Sequence, residues 1–141
     1  MKIKFQIIIL ITLIEFPSVN AQSSRNWKVY LIPYSHIDVG YTNSVPIVLE
    51  QHQNYLDTVL SFIEKTKNFN DGEKFKWIVE ITWPLKSYIE NRTSAVIDSF
   101  FNEVKLRNIE IGAFHFGLQT DLCGNEELIR SLYYANELHN Y

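Results

Sequence analysis

His36 and Asp38 stand two residues apart in the run Tyr34-Ser35-His36-Ile37-Asp38-Val39-Gly40-Tyr41. In extended backbone, positions i and i+2 project to the same side, so an imidazole and a carboxylate converge there. A neutral imidazole nitrogen and a carboxylate oxygen are both good donors to Zn²⁺. The same triplet also reads as a surface histidine hydrogen-bonded to an aspartate across a turn. Gly40 permits a sharp turn, or the close approach of something bulky. An H-x-D triplet arises easily by chance, so its weight depends on where the chain puts it.

The chain puts it at the end of a strand. Residues 28–33, rich in β-formers and closed by Pro33, predict a first strand. Ser44 is a plausible helix N-cap, and Pro46 suits the first turn that follows. Val48, His52, Tyr55, Val59, Phe62 and Ile63 then recur at helical spacing up to Lys65 and Lys67. Asn70-Asp71-Gly72 marks a turn. Residues 75–82 predict a second strand, apolar on both faces as in a buried parallel sheet. Pro84 can open a short helix to Glu90, and Thr93 can cap another whose stripe is Ile97, Phe100, Phe101 and Val104. Residues 108–114 predict a third strand, and a polar loop over 119–125 leads to a last helix over 126–138.

The resulting β-α-β-α-β-α order has no internal repeat and no low-complexity linker. Helices between strands imply right-handed crossovers and a parallel α/β sheet. In such folds ligands bind at the carboxyl ends of the strands, where the first strand delivers His36 and Asp38. Three units cannot close a barrel, and an open three-stranded parallel sheet leaves both edges unpaired. The expectation is the first part of a larger β/α barrel in a truncated or fragmentary product. A complete small α/β domain is the alternative.

Lys2 and Lys4, the apolar run over 5–14, and Val19-Asn20-Ala21 before Gln22 have the layout of a secretory signal peptide over residues 1–21. The apolar core is too short for a comfortable membrane span, which favours cleavage over a lasting membrane anchor. A secreted or periplasmic protein follows, with residues 22–141 as its mature part. Removing the leader takes away two lysines and one glutamate and leaves a net charge of about −4. With no basic stripe, nucleic acid and anionic membrane surfaces are poor partners. Cys123 is the only cysteine, which excludes an internal disulfide and a cysteine-thiolate metal site.

Other residues carry two readings each. Trp83, just past the second strand, could stack on a bound ligand or simply pack. Glu80 could orient a metal ligand from behind or be a buried structural carboxylate. His115 could be an extra ligand or a hydrogen-bonded loop histidine. His52 and His139 fall within helices, away from the strand ends, and receive no role. Asn91-Arg92-Thr93 fits an N-glycosylation acceptor, meaningful only in a eukaryotic secretory pathway.

The segment Leu31-Ile32-Pro33-Tyr34-Ser35-His36-Ile37-Asp38-Val39-Gly40-Tyr41 resembles the P-H-S-H-x-D-x-G-W opening of the catalytic domain of family 38 glycoside hydrolases, the α-mannosidases. Phe75-Lys76-Trp77-Ile78-Val79-Glu80-Ile81 is similar to the family's F-x-W-x-E stretch. Ile111-Gly112-Ala113, Gln119-Thr120-Asp121 and Glu127-Leu128-Ile129-Arg130 are similar to its G-x-W, Q-T-D and E-S-x-x-R segments in bacterial members. The resemblance runs in order through essentially the whole mature chain. It implies a zinc-assisted retaining α-mannosidase acting on mannosides, with His36 and Asp38 at the positions of two zinc ligands. Tyr41 falls where the family has a sugar-packing Trp, and Asp121 matches an acidic residue near the substrate. Tyr34 replaces the family's first His, which is not a ligand, and the segment around Phe114-His115-Phe116 is longer than the family's. The family's nucleophile, last His ligand and general acid have no match in these 141 residues, so no catalytic residue is expected here and the chain alone should be inactive. The rest of the barrel domain is expected to be missing from this chain. Alternatives are another metal-dependent carbohydrate hydrolase, such as a deacetylase-like enzyme, and a non-catalytic carbohydrate-binding remnant.

Overall fold

Ser44 adopts extended backbone and Pro46 enters the first turn, so the chain starts α1 at Val45 and runs it to Thr66. The computed structural model describes residues 27–141. The expected leader and its cleavage site before Gln22 lie outside the described residues. Val48, Leu56, Val59 and Ile63 are the buried residues of α1, with His52 half-buried on the same stripe. Tyr55 and Phe62, expected within that stripe, flank it and stay exposed, and Leu56 fills the place between them. No helix among the described residues is long and apolar enough to cross a membrane.

β1 (Trp77–Val79) and β2 (Ile109–Ile111) pair in parallel, with Trp77 opposite Ile109 and Val79 opposite Ile111. Two helices make the crossover, α2 (Thr82–Glu90) and α3 (Ser94–Lys105). The α/β class and the parallel direction agree with the expectation, and both strands are much shorter than the runs that predicted them. α2 begins two residues before Pro84, because the Thr82 and Trp83 N–H groups donate to the Phe114 and His115 carbonyls at 2.9 and 3.1 Å. Those bonds satisfy donors that a helix start otherwise leaves orphaned.

The expected first strand over residues 28–33 does not form. On the free side of β1 there is only a parallel bridge between Tyr34 and Ile78, with the Ile78 N–H donating to the Pro33 carbonyl at 3.0 Å. Continuing that ladder one step back would require residue 33 to donate to the carbonyl of Lys76. Proline has no N–H, so the ladder stops there.

The last helix is also broken, into α4 (Asn125–Arg130), α5 (Tyr133–Glu137) and a 3₁₀ turn over Leu138–Asn140. Ser131 is buried at the break. Its carbonyl accepts the His115 N–H at 2.8 Å instead of serving a helix ladder, and its hydroxyl donates back to the Leu128 carbonyl at 2.6 Å. Such local side-chain bonds compete with regular helix.

The core joins Leu56, Val59 and Ile63 of α1 to Leu85 and Tyr88 of α2 and to Ile97, Phe100 and Phe101 of α3, around Val79 and Ile109 of the sheet. α1 is tied to the α2 end by polar groups as well. Asp57 accepts from the Tyr88 hydroxyl at 2.9 Å and from Arg92 Nη2 at 2.7 Å, while Arg92 Nη1 donates to Gln53 at 3.0 Å. Burial alone pushes the Asp57 carboxyl up, but the hydrogen bonds from Arg92 and Tyr88 and the guanidinium charge hold it below its ordinary 3.8. A depressed carboxyl means that the unfolded chain binds more protons in this range. The stabilisation is present above 3.8 and is lost as pH falls through the lower folded value. The thermal midpoint of the wild type should therefore drop more steeply on acidification from about pH 5 to about pH 2 than that of Asp57→Asn. Equal slopes would show that the pair contributes nothing to acid stability.

Candidate metal-binding site at the carboxyl end of the sheet

Because the Tyr34 bridge, β1 and β2 all run the same way, the residues that follow them meet at one end. Those residues are Ser35 to Asp38, Glu80 and Ile81, and Gly112 to His115. After Asp38 the chain turns back on itself. Gly40 takes a left-handed φ of 77° and its N–H donates to the Asn43 carbonyl at 3.1 Å, while the Thr42 hydroxyl donates to the Asp38 carbonyl at 3.2 Å. A residue with a Cβ is strained at such a φ, which accounts for the glycine.

His36 and Asp38 come together as their spacing predicts, with His36 Nε2 3.5 Å from Asp38 Oδ1. The shorter contacts of the ring are on its other nitrogen. Nδ1 lies 3.0 Å from Glu80 Oε1 and 3.2 Å from Oε2. Of the two readings that the triplet left open, a tight His–Asp hydrogen bond across the turn is not what forms, since 3.5 Å is at the limit of such a bond. The Glu80 carboxylate raises the His36 pKa above its ordinary value, by its hydrogen bond first and its charge next; desolvation opposes the shift, and Asp38 adds the lesser contributions. The group is open to solvent, with His36 and Asp38 side chains 63% and 50% exposed and Glu80 less so.

As donors the pair fits a zinc ion in part. His36 Nε2 and Asp38 Oδ1 lie 3.5 Å apart, and nitrogen with oxygen is a donor set that zinc accepts. Glu80 cannot join them, because it is engaged on the far side of the ring. Among the described residues no group of three or more His, Cys, Asp or Glu side chains is arranged to hold a metal ion. A tetrahedral site would therefore draw two further donors from elsewhere.

The other sequence candidates fall differently. Tyr41 is 89% exposed, and Asp121 is exposed in the loop after β2. Neither makes a side-chain hydrogen bond to the His36 group. Trp83 is half-buried with its ring tilted against Phe116. His115 is fastened rather than free: its Nδ1 pairs with the Thr82 hydroxyl at 2.9 Å, and its ring contacts Phe116 and Tyr134. Burial first, and the Lys86 charge second, lower its pKa. Cys123 is half-buried with its thiol on the Thr120 carbonyl. Asn91 caps the end of α2, donating from its amide to the Ser87 carbonyl at 2.7 Å.

Sequence reasoning passed over His52. It lines a small pocket with Ser35, Ile37 and Glu80, and its pKa is lowered by burial against the opposing charge of Glu80. The available signal was its position in the buried stripe of α1, where a titratable side chain is out of place unless something polar lies opposite.

The family model described as Glycosyl hydrolases family 38 N-terminal domain matches residues 26–139. No curated protein and no solved structure matches the chain. The matched span contains both strands and helices α1 to α5, together with His36, Asp38 and Glu80 at the sheet's carboxyl end. The chain belongs to glycosyl hydrolase family 38, whose N-terminal domain it carries.

Proposed function

We propose that this glycoside hydrolase domain is α-mannosidase-like, with His36 and Asp38 as two of four zinc ligands and with its β/α units forming the opening part of a barrel. The observation that carries the reading is the pairing of His36 Nε2 with Asp38 Oδ1 at 3.5 Å, at the end of the sheet where parallel β/α folds bind ligands. Zinc at that place would grip sugar hydroxyls and help distort the ring toward an oxocarbenium-like transition state. The chain's own part is to hold two donors on one rim, to offer the Tyr41 ring as a sugar-facing surface, and to bring Asp121 to the same rim on its loop. A retaining mechanism needs two carboxyl groups about 5–5.5 Å apart, one attacking and one donating a proton. Neither has a matching position in these residues, so the proposal includes their supply from outside them.

The test joins the later β/α units of a family member after Tyr141 and measures zinc content beside mannosidase activity. His36→Ala and Asp38→Ala should each strip the metal and reduce activity by at least about 100-fold, since losing a ligand opens the site and removes a directed bond. Tyr41→Ala should keep zinc and weaken substrate binding. Stoichiometric zinc in both ligand variants would overturn the assignment. Zinc retained by the unsubstituted protein without cleavage of any α-mannoside would favour a different carbohydrate hydrolase on the same scaffold.

A further inference from the structure

We infer that Glu80 is a positioning residue for His36: its carboxylate takes the hydrogen bond of the Nδ1 proton, locks the imidazole in that tautomer, and turns the Nε2 lone pair toward Asp38. The inference rests on the proposed zinc role of His36 and Asp38 and extends the site by one residue outward.

Three observations carry it. Both Glu80 oxygens reach Nδ1, at 3.0 and 3.2 Å, whereas the Asp38 oxygen lies 3.5 Å from Nε2. An ionised carboxylate can only accept, so it selects the ring form whose proton is on Nδ1. Free imidazole side chains otherwise favour the proton on Nε2, the form that would blunt the nitrogen facing Asp38.

The second observation is the mount. Glu80 directly follows β1, and the chain around it is fastened along its length. The Gly112 N–H donates to the Val79 carbonyl at 2.8 Å, and the Thr82 and Trp83 N–H groups donate to Phe114 and His115. Gly112 passes so close that a Cβ there would sit 2.2 Å from the Glu80 carbonyl oxygen. By contrast, among the described residues the backbone of the His36 segment pairs with the sheet only at the Tyr34 bridge, and the His36 ring is largely exposed. The fixed partner sets the orientation of the loose one. Ligands held through such outer contacts are presented with a defined tautomer and direction.

The third is what Glu80 does not do. His36 is the only side-chain hydrogen-bond partner of Glu80 among the described residues, and no lysine or arginine pairs with it there. Removing its carboxylate strands no other polar group, so its effect should appear in the chemistry of His36 rather than in the fold.

The experiment uses the full chain labelled with ¹⁵N at histidine. Only four histidines are present, and His36→Ala assigns the signal. Long-range ¹H–¹⁵N spectra above the histidine titration range, at about pH 9, report which ring nitrogen carries the proton. In the wild type His36 should be protonated at Nδ1. In Glu80→Ala the proton should move largely to Nε2, and in Glu80→Gln, whose amide oxygen still accepts, it should stay on Nδ1. The His115 signal, held by Thr82, should be unchanged in both variants and controls for folding. In the protein joined to the later β/α units, which supply the other two donors, titration with Zn²⁺ alone should perturb Nε2 of His36, with affinity weaker by about 10–100-fold in Glu80→Ala. A wild-type His36 protonated at Nε2, or the same tautomer and zinc affinity in Glu80→Ala, would overturn the inference while leaving the zinc ligands in place. The expected tautomers with no zinc effect at His36 would instead remove the zinc reading and keep the role of Glu80 in orienting the ring.

Discussion

Phe100→Ala should cost about 3–5 kcal/mol of folding stability, the range for truncating a fully buried aromatic side chain. Phe100 has no solvent exposure, and its ring lies 5.8 Å from that of Tyr88 and 5.4 Å from that of Phe101. It is thus the point where α3 locks onto α2. Alanine would leave a cavity that neighbouring rings cannot fill without leaving their rotamers, and the loss of ring contact adds to the loss of burial. A domain of this size has only about 5–15 kcal/mol in hand. Urea unfolding of the chain followed by tryptophan fluorescence should show a much lower midpoint. Phe116→Ala, at a ring that is 47% exposed, serves as the comparison and should change the midpoint little. Similar midpoints for the two variants would mean that α3 is not anchored through Phe100.

Gly112→Ala should be nearly as damaging, for a different reason. The added methyl would lie 2.2 Å from the Glu80 carbonyl oxygen and 3.1 Å from that of Val79, and both obstacles are backbone. No rotamer change relieves such a clash, so β1 and β2 must separate at their carboxyl ends. Overpacking of this kind costs about 1–3 kcal/mol and sometimes more. Hydrogen exchange gives the specific signature. The Gly112 N–H, bonded to Val79, and the Thr82 and Trp83 N–H groups, bonded to Phe114 and His115, should lose protection together. Retained protection at all of these amides would show that the sheet accommodates the methyl group.

Much of the scaffold was legible because it rests on local pattern. The α1 start follows from Pro46 in the first turn, although the Ser44 and Thr93 side chains make no cap hydrogen bond, and the α3 stripe and the two paired strands follow from periodicity and β-forming runs. The approach of His36 to Asp38 follows from a two-residue spacing in extended chain. The misses have a common cause, which is tertiary hydrogen bonding. The break at Ser131 comes from its carbonyl serving His115, sixteen positions earlier, and α2 starts early because the same distant loop caps it. Helix spacing contains no trace of either bond. The contact between Glu80 and His36 spans 44 positions, and a sequence can offer both residues without showing that they meet. Only at Pro33 was the missing information local: a residue without an N–H cannot extend the ladder backwards, whatever the β-propensity of its neighbours.

The loop between β2 and α4 bonds mainly to itself over residues 117–124. The Leu122 and Cys123 N–H groups both return to the Gln119 carbonyl, and the Cys123 thiol rests on Thr120. Leu122 and Asp121 are exposed, and no residue of this stretch belongs to the core cluster. Its anchor points lie outside it, at His115 and at the start of α4. The stretch can therefore change in length or composition while the helices, the sheet and the His36 group stay as they are. Yet it projects from the same end of the sheet as that group. Selection can act on this loop with little cost to folding, so divergence among relatives should concentrate here before it reaches His36, Asp38 and Glu80.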